Sequence, residues 1–561
     1  MSILEDSARP VRRARRMRFR SAPLEHGSDD YSTIDRGLEP DHLARKIARV
    51  VNQLPESFFS SLWSLYAGFG SPAYPPQRLL AAVLFEIQRG HHSPAQWYQH
   101  AKESDPLRWL LFGFTPSRAC WYQFRDRLGP GMLTLVEETV KQAIAEGFTP
   151  AQRAAVDGTL VAANASRHRL LNETTLAQRC HTLQQAIAAD PPPEQPLVQP
   201  PTEIDPPSAQ PTSLASVPTA PPDEQTPARS GADDAQPSEP LAALPGWLAP
   251  TPRGRREQKE RYDRARQEMQ RRQNRNRQKR PCKQTAAERI VISVSDPEAA
   301  VGRDKEKVFR PLYNVQLLDD LDSPLILSYQ VVAQPNDAGL LGGLLRQARD
   351  GLGRKIEVAL TDSGYTGGAD LAEAYDLGAT VYGPWQANDY SVKKEEKYYP
   401  KERFCWLPQE QVYECPQGKK LTYQGSSRQK RSGTEKVELQ LYRGDEQVCA
   451  ACSARGNCTG GKGARTISRG EHEEHIEALR ERMKDRDAKT LYKQRKQTVE
   501  LANADMKQHR SLRKLSGRGK TRAATQVGLV VLAHDLVTLD GLRRKREREE
   551  AAAATPSPDA S

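Results

Sequence analysis

Apolar positions recur at helical spacing from Asp41 to about Phe148. Leu80, Leu84 and Ile87 share one face of a run that Pro75 and Pro76 open and Gly90 closes. Ser93-Pro94 supplies a cap and a first-turn proline for a second helix, and Thr115-Pro116 repeats the signal before a helix ending at Gly129. Residues 39–150 therefore read as a compact helical N-terminal domain. Beyond it the apolar runs shorten to strand length: one before Asp157, then Tyr313–Leu318 and Leu325–Val332, the first of these two ending in an acidic turn at Asp319-Asp320. A helix over 337–348, a strand over 356–360, a helix over 369–375 and a strand near Val381 follow. Strand, strand, strand, helix, strand, helix, strand predicts an α/β fold with a mixed sheet flanked by helices.

Two stretches interrupt this pattern. Residues from Pro191 to Pro252 hold 18 of the chain's 41 prolines and bury too little apolar surface to order themselves. Arg253 to Lys283 is basic at more than a third of its positions, which suits either phosphate contact or a solvated charged helix. Together, 183–285 reads as a disordered Pro-rich and basic insertion, and 386–470 as a second, cysteine-containing one. The sheet-forming core is thus split into 151–182, 286–385 and 471–543, with a mobile basic arm at 1–38 and a disordered tail at 544–561.

Charge narrows the partners. Lys and Arg number 83 against 71 Asp and Glu, a net +12, which favours a polyanion without choosing among DNA, RNA and an acidic membrane surface. No apolar run approaches the roughly 18 residues of a membrane span, and no apolar stretch follows the N-terminal arginines, so a cytoplasmic protein without a membrane partner is expected. The 8 cysteines fit a reducing compartment, since Cys449, Cys452 and Cys458 crowd together with Cys415 upstream. Those four thiols suit a tetrahedral structural Zn²⁺ site, with Cys405 as a substitute ligand; Cys120, Cys180 and Cys282 read as buried or idle thiols.

The candidate chemistry rests on carboxylates. Asp157 in Ala-Ala-Val-Asp-Gly-Thr and Asp362 in Val-Ala-Leu-Thr-Asp-Ser-Gly-Tyr each stand at the carboxyl end of a short apolar strand, beside a glycine-containing turn. Either alone is an ordinary turn residue; the matched pair is not. A helix over 491–506 adds Tyr492, Arg495 and Glu500, with Lys507 just beyond, spaced so that Tyr492 with Arg495, and Glu500 with Lys507, point the same way.

That spacing resembles the signature of bacterial insertion-sequence transposases with a DDE triad and an RNase H-like core. Val156-Asp-Gly-Thr, Ala163-Asn-Ala-Ser166, Ser295-Asp-Pro297, Tyr313-Asn-Val-Gln316, Thr361-Asp-Ser-Gly-Tyr365 and Leu532-Ala-His534 extend the likeness over roughly 40–170 and 290–540. The resemblance implies catalytic Asp157, Asp362 and Glu500 holding two Mg²⁺ ions, and DNA nicking and strand transfer at terminal inverted repeats. It also implies a homo-oligomer on DNA. Hard oxygen ligands suit Mg²⁺, and three carboxylates offset most of the charge of two such ions. Tyr492, Arg495, Lys496 and Lys507 are the candidate DNA contacts beside the metals, and Arg118 and Arg125 those of a helix-turn-helix whose Trp121 is alternatively core. His534 reads as a core histidine. Two departures stand out. Four residues separate Arg495 from Glu500 where the family usually has three, so Lys496 is a candidate for the arginine's place; and Leu501-Ala-Asn-Ala504 replaces the usual Pro, aromatic and Gly. The rival readings are a DNA-binding descendant without catalysis and a nuclease on the same core.

Overall fold

A computed structural model describes residues 18–63, 66, 71–191, 245–279, 281–384, 398–430, 436–461 and 463–554. The chain divides into two units, one comprising 1–173 with 264–561 and the other 174–263.

The larger unit opens with helices α1 (Asp29–Gly37), α2 (Leu43–Asn52), α3 (Glu56–Trp63), α4 (Pro76–Gln88), α5 (Pro94–Glu103), α6 (Asp105–Leu110), α7 (Arg118–Leu128) and α8 (Met132–Ala145). Local chemistry sets their ends. Ser93 and Gln96 form a capping box on α5, while Ser117, not Thr115, caps α7 by accepting from the Cys120 amide. The expected arm at 1–38 is corrected in its second half: Leu24 and Tyr31 are buried, and Ser28 caps α1. Residues 1–17 lie outside the described residues.

The smaller unit contains α9 (Glu173–Ala188) from Thr174 onward and the first half of α10 (Pro252–Arg277). Arg255 closes it, pairing with Asp190 and donating to the carbonyls of Ala249 and Pro250 at 3.0 Å. The second half of α10 belongs to the larger unit, where Arg272 donates to the carbonyls of Val291, Pro297 and Ala299 at 3.0, 2.8 and 2.7 Å. The expected disorder over 183–285 is therefore corrected at both ends. Every third or fourth position of α10 that turns inward, such as Tyr262, Ala265 and Met269, is buried, which a count of basic residues does not reveal. Residues 192–244 lie outside the described residues.

The central sheet consists of β1 (Arg153–Ala162), β4 (Ala300–Arg303), β5 (Phe309–Asp320), β6 (Ile326–Val332), β7 (Val358–Leu360) and β8 (Thr380–Tyr382); the short β2 (Leu170–Leu171) and β3 (Ile292–Ser293) pair separately. β1 is central, antiparallel to β5 and parallel to β7, and β7 is parallel to β8. β6 and β4 lie end to end along the other edge of β5. Helices α11 (Leu341–Leu352) and α12 (Gly368–Asp376) connect the parallel strands. Asp319 and Asp320 do not form a turn: both lie within β5 and are buried.

A helix at Lys520–Ala554 joins these parts. Its Val527, Val530 and Leu532 share one apolar core with Leu80, Leu84, Trp97 and Trp121 of the N-terminal helices and with Ile326 and Val331 of β6. Arg49 grips Asp540 through two bonds of 3.0 Å, and Gln88 donates to the Ala533 carbonyl at 2.7 Å. The N-terminal helices thus have no core of their own, and the helix continues through 544–554, where a disordered tail was expected. By length and composition it is also apolar enough to cross a bilayer, against the sequence expectation, but most of that stretch is buried inside the protein, as in a core helix.

Residues 398–469 add a five-stranded antiparallel sheet: β9 (Cys405–Leu407), β10 (Val412–Glu414), β11 (Lys420–Lys430), β12 (Lys436–Gly444) and β13 (Thr466–Arg469), in the order β13-β12-β11-β10-β9. Phe404, Tyr413, Leu421, Tyr442 and Ile467 form its small core.

Candidate active site

The parallel pairing of β1 and β7 aligns Ala155 with Leu360, so two residues further on Asp157 and Asp362 come side by side. β1 does not end at Asp157 as the sequence suggested; antiparallel pairing with β5 carries it to Ala162. Asp362 caps a 3-10 turn by accepting from the Gly364 amide at 2.7 Å.

Helix Arg486–Ala504, capped by Asp485, lies across these strands. Arg495 donates from Nη2 to Asp157 Oδ1 at 2.8 Å and to the Val156 carbonyl at 3.0 Å, and the same nitrogen lies 3.7 Å from Asp362 Oδ2. Asn503, two turns on, donates to Asp157 Oδ2 at 2.8 Å. Burial raises the Asp157 carboxyl above its ordinary range, against the pull of Arg495 and Lys305. Asp157 and Arg495 act on Lys507 and Tyr492 respectively, and burial lowers the Lys507 ammonium and raises the Tyr492 hydroxyl. Tyr492, Arg495 and Lys507 therefore gather around the two aspartates.

Glu500 does not join them. Its side chain is 66% exposed and lies 4.0 Å from Lys496, itself exposed, so Arg495 rather than Lys496 reaches the carboxylates. The extra residue between Arg495 and Glu500 explains this, because each residue turns a helix by about 100°. Val499 holds the position one turn beyond Arg495 and is buried with Ala155 and Leu360. A π-helical turn at Asp505–His509 follows.

A carboxylate that the sequence reading missed is close by. Asp337 Oδ1 accepts from Asn314 and Gln316, each at 2.8 Å, and a Cβ at Gly364 would meet atoms of both Asp362 and Asp337. Tyr365, donating to Gln316, has its hydroxyl raised by burial and by Asp337, Asp157 and Asp362. A Cβ at Gly158 would fall 2.2 Å from Asp337 Oδ1, so the glycine after Asp157 makes room for this neighbour. The signal available beforehand was the Tyr313-Asn-Val-Gln316 motif, whose Asn and Gln hold Asp337 while its Tyr313 donates to Asp296 at 2.9 Å.

Residues 414–539 match the family model described as a transposase DDE domain, and residues 32–127 match a transposase domain designated DUF772. In these two segments the chain is similar to transposases. No curated protein and no solved structure matches it.

The first matched segment contains Tyr492, Glu500 and Lys507 and begins just before Cys415; Asp157 and Asp362 precede it. Cys415, Cys449, Cys452 and Cys458 line one cavity of about 140 Å³, where burial and the three neighbouring sulfurs raise the Cys458 thiol. The Lys419 amide donates to Cys415 Sγ at 3.4 Å, and Cys405 is exposed elsewhere on the sheet. In the region of the second match, Trp121 is buried and Arg125 is buried against Asp126, so Arg125 offers no free cation to DNA, whereas Arg118 is exposed. Helix α6 intervenes between α5 and α7, where the expected helix-turn-helix needs a tight turn. His534 bonds Asp505 at 2.7 Å and the Pro324 carbonyl at 2.8 Å, as a core histidine does.

Proposed function

We propose that this protein is a DDE transposase that nicks DNA at the terminal inverted repeats of a mobile element and transfers the freed 3′ end to target DNA, with Asp157 and Asp362 as the central catalytic pair. The observation that carries this reading is the juxtaposition of the two carboxylates with Arg495 between them. The order β6-β5-β1-β7-β8, three antiparallel strands followed by two parallel ones, supports an RNase H-like core.

The donors suit a hard divalent cation. Besides the two aspartates, Asn503 Oδ1 is buried and accepts no hydrogen bond, an oxygen available to a cation or its water. Bound Mg²⁺ would supply charge neutralisation on the phosphate and an activated water. Lys507 and Tyr492 would hold phosphate beside the pair, and Arg495 would swing from the carboxylates onto the DNA backbone. Glu500 is the third carboxylate by resemblance, and Asp337 the rival by proximity. The cysteine cavity supports a structural zinc in the five-stranded domain.

The test is Mg²⁺-dependent nicking of repeat-end DNA by Asp362→Asn, Asp337→Asn and Glu500→Gln. Asp362→Asn is expected to lose more than about 100-fold with binding nearly intact. Whichever of the other two matches that loss is the third ligand. Full nicking and strand transfer by Asp362→Asn would refute the mechanism. A wild type that binds DNA without nicking it would favour the second reading, a non-catalytic DNA-binding descendant, which the Val499 substitution of the helix position facing β1 supports.

A further inference from the structure

Far along the chain from these carboxylates, Glu86 near the end of α4, His91 after it and His100 on α5 bring one ligand atom each within 4.8 Å of the others. Glu86 Oε2 lies 3.0 Å from His91 Nδ1 and 2.5 Å from His100 Nδ1. The Glu86 side chain is fully buried, yet its Oε1 accepts no hydrogen bond, and Arg89 stands 3.7 Å from it. Burying a carboxylate oxygen without a partner is costly. Both imidazoles are about a quarter exposed, at 26% and 29%, which leaves one side of the cluster open to water.

We propose that Glu86, His91 and His100 form a divalent metal site, with zinc as the ion that two imidazoles and one carboxylate favour. Zinc ligands at about 2.0–2.1 Å in a tetrahedron lie about 3.3 Å apart, so Glu86 Oε2, at 3.0 and 2.5 Å from the two imidazole nitrogens, needs to draw back from each by less than about 1 Å to admit the ion. Both histidines bind as neutral rings through Nδ1, with the proton on Nε2, and water takes the fourth position on the open side. The ion tethers α4 to α5. The intervening His92 bonds the Arg510 carbonyl at 2.6 Å, and its own carbonyl accepts from Ser516 at 2.9 Å. The site therefore stiffens the turn that supports the segment just after Lys507.

Zn²⁺ titration of the full chain by calorimetry, alongside His91→Ala/His100→Ala, tests this. The double variant is expected to bind one equivalent fewer and to lose the rise in melting temperature that this equivalent causes; equal stoichiometry in both proteins overturns the site. Comparison with the parent cancels zinc taken up by cysteines or aspartates. Glu86→Gln keeps the volume and removes the charge, and is expected to weaken that equivalent by about tenfold or more. Unchanged affinity in a variant whose circular dichroism matches the parent also overturns the proposal.

Discussion

Arg495 carries its guanidinium 2.8 Å from Oδ1 of Asp157, on the side that faces Asp362. A cation is therefore already supplied from within the chain, and it also ties helix Arg486–Ala504 to β1 through the Val156 carbonyl. The first prediction concerns competition for this position. Arg495→Ala leaves two facing carboxylates without their counter-charge, so Mn²⁺ affinity is expected to rise roughly tenfold while DNA affinity falls. Calorimetric titration with Mn²⁺ measures it, and unchanged or weaker affinity would mean that the guanidinium does not stand where the metal enters.

Lys507 is half-buried, close enough to Asp157 to feel its charge, and held in the π-helical turn. Lys507→Ala is expected to weaken binding across DNA sequences and to lower the slope of log affinity against log salt by about one. A slope equal to that of the parent would remove Lys507 from the phosphate contacts.

Asp535 is fully enclosed, accepts from the Ile326 amide at 2.9 Å, and has its carboxyl pushed up to about 7 by burial. From about pH 4 to about pH 7 the folded chain keeps a proton that the unfolded chain has released, so this group's contribution to stability falls as pH rises across that window and levels off above it. Asp535→Asn keeps an oxygen for the Ile326 amide and cannot ionise. Its stability relative to the parent is expected to increase from pH 4 to pH 7, as read by denaturant midpoints; a constant difference would show that Asp535 ionises normally.

The four cysteines predict a separate metal dependence. Cys449→Ser/Cys452→Ser is expected to lose about one zinc equivalent and to open the 398–469 sheet to proteolysis, because a five-stranded sheet over so small a core needs a staple. Equal zinc content in parent and variant, prepared under reducing conditions, would rule the cavity out.

What could be read locally was read correctly in kind. Helix starts at Pro76 and Pro94 and the strands around Val156 and Ala359 follow from periodicity, caps and spacing, which act over a few residues. Acidic and basic runs misled: Asp319 and Asp320 lie inside a strand and α10 is an ordered helix, because composition does not say which face of an element is covered.

The sequence by itself determined that two matched aspartates stand after apolar strand segments, and that a tyrosine, an arginine and a lysine recur at helical spacing beside a glutamate. Only the tertiary structure decided which of them meet. Helix phase advances by about 100° per residue, so one inserted residue turned Glu500 to solvent and Val499 to the sheet, while Arg495 kept its place on Asp157. Asp337 entered the site, and helix Lys520–Ala554 became the shared core of distant segments, through contacts between residues far apart in the chain, whose register no local pattern encodes.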